Sequence, residues 1–273
     1  MATVLPALNN LIKERLPAAH TGVRKVLRWW LIDSRQGLDS CPAIPRKVGG
    51  EWMWLHPRFL TEPLDLEPDV QAKFRQFIRP GYTVLDIGAY VGTHTVLAAK
   101  LTGSGGRVYA FEPSPSNYAY LAYHCRRNAR HAAAFQNLVS DRAGERLPFH
   151  LLNDGDSTSN SMTFGKSVGA ETRTIEVESI TVDEFCEAHS ARPAFIKIDV
   201  EGAESLVLRG AARVLRECRP TIILALHPQW LPAGVTPEDL RRYLDNAGYD
   251  LQTLDAKPAV ELKLMEYVCR PRV

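Results

Sequence analysis

From Pro80 onward, short apolar runs alternate along the chain with stretches of helical period. Tyr82–Ile87, Arg107–Glu112, Ala133–Val139, Ala194–Asp199 and Thr221–Leu226 read as strands. Short apolar runs alternating with helical periods are how a parallel sheet covered by helices reads. Between them Thr93–Leu101, Asn117–Asn128 and Glu204–Arg216 carry helical periods, which predicts a parallel sheet covered by helices. Thr181 in TVDE starts a short helix as a capping box, with Glu184 reaching back to it. Thr236 in TPEDL is the N-cap of another, with Pro237 at its first position and Gly248 at its end. Leu147–Leu152 and Thr172–Ile180 are further β segments around the polar loop 153–169, a plausible flap. Tyr249–Leu254 and Ala259–Arg270, joined by a turn around Lys257 and Pro258, suit an antiparallel pair at the sheet edge.

The first 69 residues are less regular, so the chain divides into an N-terminal extension, 1–69, and a main domain, 70–273. Gly22–Ile32 predicts an amphipathic helix with two tryptophans, in a segment where basic side chains outnumber acidic ones. Residues 20–32 therefore suit contact with a membrane surface or a partner, or else Trp29 and Trp30 pack on the main domain or on a second subunit. EWMWLHPRF alternates bulky residues and predicts a strand near the site, with His56 in a structural role.

Composition removes some function classes. A net charge of +2 over 273 residues argues against a nucleic-acid partner. Five widely spaced cysteines without a CxxC pair argue against a disulfide framework or a zinc cluster. A cytoplasmic setting is expected, because no leader pattern and no run of apolar residues long enough to span a membrane is present.

The sharpest chemical signal is VLDIGAYVGTHT, residues 84–95. A strand turns through Gly88 and Gly92 into a helix, bringing backbone and helix amides to a ligand. Dinucleotide binders need GxGxxG, and GAYVGT places Ala89 and Tyr90 where further glycines belong. S-adenosylmethionine, which brings no phosphate, suits the loop better. Glu112 ends the next strand, where its carboxylate can take both ribose hydroxyls. Asp141, beside Ser140, follows the third strand and is placed for the adenine amino group. Asp86, Glu112 and Asp141 thus fall in order along the edge where open α/β sheets bind ligands.

VLDIGAYVGTHT, YAFEPSPSNYAYL, NLVSDRAG, FIKIDVEGAE and the strand ending in LHP together resemble the FkbM-type S-adenosylmethionine-dependent methyltransferases. The resemblance spans about residues 80–228. It implies a class I methyltransferase fold, an α/β Rossmann-like sheet of seven mostly parallel strands with an antiparallel last strand and helices on both faces. It further implies O-methylation of hydroxyls on small molecules, sugars, glycans or polyketides, with S-adenosylhomocysteine as product. The cofactor contacts expected are Asp86, Gly88, Ala89, Tyr90, Gly92, Thr95, Glu112, Pro113, Ser140, Asp141 and Asp199. The family's glycine loop commonly has Asn where Tyr90 stands.

An aliphatic hydroxyl is protonated at neutral pH, so methyl transfer to it calls for a group that takes the proton. His227 ends the strand before Pro228, beside the strand that ends in Asp199. The expectation is His227 as general base, with Asp199 orienting either it or the hydroxyl. Lys197 shares a strand face with Asp199 and needs a carboxylate partner: Asp199, Glu201 or Glu204. Asp199, Glu201 and His227 offer ligands for a divalent metal, but with no further ligand motif a metal is not the favoured reading. Two other functions compete. A nucleic-acid or other N-methyltransferase would carry an Asn/Asp-Pro-Pro-aromatic motif after the fourth strand, where IDVEGAE stands. A nicotinamide-dependent oxidoreductase is disfavoured by the glycine pattern.

Overall fold

The apolar strand runs form the middle of a seven-stranded sheet in the computed structural model, which describes residues 38, 41–60, 64, 67–152 and 172–272. The expected helix over 22–32, the surface contact assigned to 20–32 and the loop 153–169 lie outside these residues. The chain divides after Leu66 into two compact units.

In the first unit, β1 (Ile44–Val48) and β2 (Glu51–Leu55) form an antiparallel hairpin. Gly49 and Gly50 both have positive φ, which matches the right-handed twist of a two-residue hairpin. Met53 and Leu55 are buried while Trp52 and Trp54 face out, the period of a half-buried strand. His56 is buried and its Nδ1 accepts from the Arg58 amide. Burial, with the Arg58 charge, lowers its pKa to about 4, so it stays neutral in a structural role.

The second unit begins with α1 (Pro68–Phe77). It continues through β3 (Thr83–Ile87), α2 (Thr93–Thr102), β4 (Arg107–Phe111), α3 (Pro115–Asn128), β5 (Ala132–Phe135), β6 (Leu138–Val139), β7 (Arg146–Leu152) and β8 (Thr172–Ile180). There follow α4 (Val182–Ala188), β9 (Pro193–Ile198), α5 (Glu204–Arg209), α6 (Ala212–Glu217), β10 (Thr221–Leu226), α7 (Pro237–Asn246), β11 (Tyr249–Thr253) and β12 (Met265–Pro271). The main sheet has the order β11-β12-β10-β9-β3-β4-β5. Five strands run parallel from β10 to β5, and β12 lies antiparallel between β10 and β11. This is the class I methyltransferase arrangement, with the chain reversing direction across the sheet between β3 and β9. In open sheets that reversal opens a crevice at the carboxyl ends of the strands. Burial of Leu85, Ile87, Ile196, Ile198, Ile222, Leu224 and Leu226 in one apolar cluster makes the sheet the core.

The structure corrects four expectations about elements. The run 133–139 is broken by the polar pair Gln136-Asn137, and β6 leaves the main sheet to pair with β8, which also carries β7. The helix over 204–216 is two helices. Gly210 sits against the Ser140 carbonyl, where a Cβ would lie 2.1 Å from the oxygen. The Asp183 carboxylate then accepts from the amides of Arg213 and Val214 and caps α6 from outside. At Thr181 the hydroxyl accepts from the Glu184 amide without the return bond of a capping box, which among the described residues is made at Thr236 with Asp239. Finally, β12 starts at Met265 because 254–264 is spent on a loop closed by Thr253 N donating to the Lys257 carbonyl.

Candidate active site

The glycine loop lies where β3 and β4 end, and its shape is set by its neighbours. The amides of Gly88 and Ala89 both donate to the Phe111 carbonyl, clamping the turn to β4. Gly88 has φ +80, and a Cβ there would lie 1.7 Å from the Asp199 carbonyl oxygen. Gly92 has φ +90 and faces Leu121 of α3, 2.6 Å from where a Cβ would stand. Both glycines are therefore required by conformation and by packing within the protein. Tyr90 also has positive φ, 51°, a region that Asn enters more easily than Tyr.

Glu112 follows β4 directly and is buried. Its Oε2 accepts from the Tyr90 amide at 2.9 Å and its Oε1 from the Ser114 amide at 3.0 Å. Burial raises its pKa to about 7 against the pull of those two amides. Asp86 is completely buried beneath the loop, with Oδ2 accepting from the Thr95 hydroxyl at 2.6 Å. Among the described residues its buried Oδ1 has no hydrogen-bond partner. Burial raises its pKa, opposed by Lys197 and Thr95. Pro113 is half-buried between Glu112 and Ser114.

Across the sheet Asp86 stands in register with Lys197 of β9. The sequence left three carboxylates open to this lysine, and the structure selects Asp199, whose Oδ2 accepts from Lys197 Nζ at 2.9 Å. Burial would lower the lysine pKa, but Asp199, Asp86 and Glu67 together raise it. Likewise burial would raise the Asp199 pKa, and Lys197 outweighs it and lowers it. His94 is packed on Phe74, with ring centroids 5.2 Å apart, and is not solvated as a histidine at a helix start usually is. Burial and then Lys197 lower its pKa to about 3, leaving it neutral.

At the end of β10, His227 is gripped by carboxylates on both nitrogens. Nδ1 lies 2.7 Å from Glu204 Oε1 and Nε2 lies 3.3 Å from Glu201 Oε2. The partner at Nδ1 is Glu204, while Asp199, expected to orient either this ring or the hydroxyl, is bonded to Lys197. Glu204 is fully buried at the start of α5, and its Oε1 also accepts from the Gly202 amide. Burial would lower the His227 pKa, but the Glu204 bond and the charges of Glu201, Glu204 and Asp199 raise it. Trp230 stacks on the imidazole, with centroids 5.4 Å apart. Glu204 and Trp230 are the site residues that the sequence reading missed as such. The available signal was a carboxylate heading the apolar helix ESLVL, three residues after Glu201.

The structure thus joins the glycine loop, Glu112 and Asp86 to Asp199, Lys197, Glu201 and His227. The Asp199 amide donates to the Ile87 carbonyl, and the Asp199 carbonyl packs on Gly88, so the two groups share one rim. Asp141 is held differently. Its Oδ2 accepts from Arg209 of α5 at 3.0 Å and its Oδ1 from the buried Ser140 at 3.3 Å.

A class I methyltransferase sheet with a two-glycine loop and a buried acid after its second parallel strand defines the class of this domain. The FkbM methyltransferase domain matches residues 86–251, and the chain belongs to that family. The hexuronic acid methyltransferase AglP of Haloferax volcanii is 28% identical over 168 residues, 59% of this chain and 61% of its own length. The 31-O-demethyl-FK506 methyltransferase FkbM of Streptomyces tacrolimicus is 30% identical over 186 residues, 59% of this chain and 69% of its own. A solved methyltransferase FkbM from Methylobacillus flagellatus KT covers 72% of this chain and 50% of its own at 18% identity, with a TM-score of 0.45. This chain therefore spans less than two thirds of the Haloferax protein and half of the solved one.

Proposed function

We propose that the protein is an S-adenosylmethionine-dependent O-methyltransferase acting on a hydroxyl of a small molecule or glycan. The observation that carries this is the single rim: a buried carboxylate held by loop amides at β4, continuous through Gly88 and Asp199 with a charged cluster at β9 and β10. The buried, partnerless Oδ1 of Asp86 under the loop and the remaining lone pairs of Glu112 fit a ligand rich in hydroxyl and amino donors. Glu112 would hold the ribose hydroxyls, and the turn Gly88–Gly92, with Ala89, Tyr90, Thr95 and Pro113 around it, would shape the seat. Ser140 and Asp141 would meet the adenine amino group, with Asp141 sharing its carboxylate between that group and Arg209.

When bound, the cofactor supplies a sulfonium methyl whose carbon–sulfur bond breaks as a carbon–oxygen bond forms, the electron pair staying on sulfur. The acceptor hydroxyl loses its proton at the β9–β10 rim, where Asp199, Glu201 and His227 face it. Removing a proton in the transition state is worth on the order of 10²–10⁴ in rate, and holding the oxygen in line supplies more. Trp230, stacked on His227, offers an apolar face beside that oxygen, which suits a sugar or macrocycle. The acceptors named for the two relatives, a hexuronic acid and an FK506 precursor, support this class of substrate. All five cysteines are free thiols, which fits the reducing cytoplasm we assign to it. Among the described residues no helix is long and apolar enough to cross a membrane.

Calorimetry with S-adenosylhomocysteine and with NAD tests the cofactor: the first should bind and the second should not. Incubating the protein with S-adenosylmethionine and a panel of hydroxylated glycosides and polyketides should give a product heavier by one CH2. Preference for NAD would overturn the reading.

A further inference from the structure

Both nitrogens of His227 face carboxylate oxygens, Nδ1 that of Glu204 and Nε2 that of Glu201. An imidazole that donates its one N–H from Nδ1 to Glu204 turns the Nε2 lone pair toward Glu201 Oε2, 3.3 Å away. Ligand atoms of Asp199, Glu201 and His227 all lie within 4.8 Å of one another. Around a single ion with bonds of about 2.1 Å, ligand atoms stand about 3.0–4.2 Å apart, so the cluster needs only a small contraction. The arrangement behind it is equally specific. Glu204 is fully buried, fixed by the Gly202 amide, and holds the far nitrogen of the ring, the carboxylate–histidine pairing that orients a metal-ligating imidazole.

We propose that Asp199, Glu201 and His227 bind one divalent transition cation of the Mn2+ type, with Glu204 as the residue that positions the imidazole. Carboxylate oxygens suit Mg2+ and Mn2+ while an imidazole nitrogen suits transition metals, and the mixed set favours an ion that accepts both. The ligands come from one side only, the ends of β9 and β10, so the ion keeps positions for outside oxygens. As a binding site it rests on geometry; its task, drawing the acceptor oxygen in and easing the loss of its proton to water, rests on the methyl-transfer reading above. In that task it takes the place of His227 acting as a free base.

The test is Mn2+ titration of the chelator-treated full chain, followed by electron paramagnetic resonance, with S-adenosylhomocysteine binding measured on the same samples. One Mn2+ should bind per chain, and its pulsed spectrum should show coupling to an imidazole nitrogen. Glu201→Gln should weaken binding by about tenfold or more. Glu204→Gln, which removes no ligand, should weaken it by about 10–100-fold. Failure to bind Mn2+, binding without nitrogen coupling in the unaltered chain, or binding indifferent to Glu201→Gln overturns the site and returns proton removal to His227. Because the nitrogen signal is read on the unaltered chain, a variant that fails to fold does not blunt the test. A chain that binds S-adenosylhomocysteine but no Mn2+ defeats the cation alone. One that binds Mn2+ but no S-adenosylhomocysteine defeats the methyltransferase reading and leaves the cation standing.

Discussion

The two halves of the rim carry carboxylates of the same kind and hold them by different means. At β3 and β4, Glu112 is fixed by two main-chain amides, from the loop and the turn beside it. At β9 and β10, Asp199 is held by the Lys197 ammonium and Glu201 faces His227, while Glu204 bonds His227 as well as the Gly202 amide. A carboxylate held by amides keeps its place whatever charge surrounds it, which suits a seat for a constant ligand. One held by a charged side chain is only as secure as that partner, because an unpaired buried charge is costly. That half can be rebuilt by a few substitutions, which suits the end of the cleft that meets a variable acceptor.

Removing the lysine breaks this comparison at its weaker side. Lys197→Met leaves Asp199 without its ion pair and Asp86 without its neighbouring charge, and should cost about 3–5 kcal/mol of stability in urea unfolding. A loss below about 1 kcal/mol would show that the charged half is not held by that pair. Gly88→Ala attacks the joint between the halves. The added Cβ meets the Asp199 carbonyl and the residue keeps a positive φ, so the expected loss is about 3 kcal/mol, a fall in Tm of about 6–12 °C. An unchanged Tm would mean that the two strand ends can separate freely.

The amide-held half is read through its titration. The Glu112 carboxyl, raised to about 7, accepts ribose hydroxyls best when ionised, so affinity should fall as the pH drops through that value. S-adenosylhomocysteine should bind about tenfold more weakly at pH 6 than at pH 8.5. Glu112→Gln should bind weakly at both and lose the slope. A slope that survives in the variant would assign the titration elsewhere and remove Glu112 from the ribose.

How much of this the sequence discloses follows the same division. Strand-end positions are legible because period and order alone place them, and so Asp86, Glu112, Asp199 and His227 could be set on one edge in advance. The Lys197–Asp199 pair was legible as one of three candidates, because the two residues lie two positions apart on one extended run. The Glu204–His227 contact was not, since its partners are 23 residues apart and meet only when α5 packs under β10. The breaks at 136–137 and 210–211 escaped for a like reason. At the first the polar pair Gln136-Asn137 is local, but the strand that takes up 138–139 is the distant β8; at the second the neighbours are Ser140 and Asp183.

The smallest effect sharpens the comparison most finely. Tyr90 departs from the Asn common in its family's loop, and the structure gives that departure a physical cost: φ of 51° is a left-handed conformation, which burdens most L-residues by about 1–2 kcal/mol. Asn reaches it more easily because its short side chain bonds locally, and the substitution leaves the amide that donates to Glu112 intact. Tyr90→Asn should therefore stabilise the protein by about 0.5–1 kcal/mol, read as a small rise in the urea midpoint at constant slope. If the seat is held by main-chain geometry, the ring is dispensable to it, and S-adenosylhomocysteine affinity should stay within about twofold. A stabilised variant that binds the ligand far more weakly would show that the tyrosine ring itself forms part of the seat, and the amide-held half would then depend on a side chain as much as the charged half does.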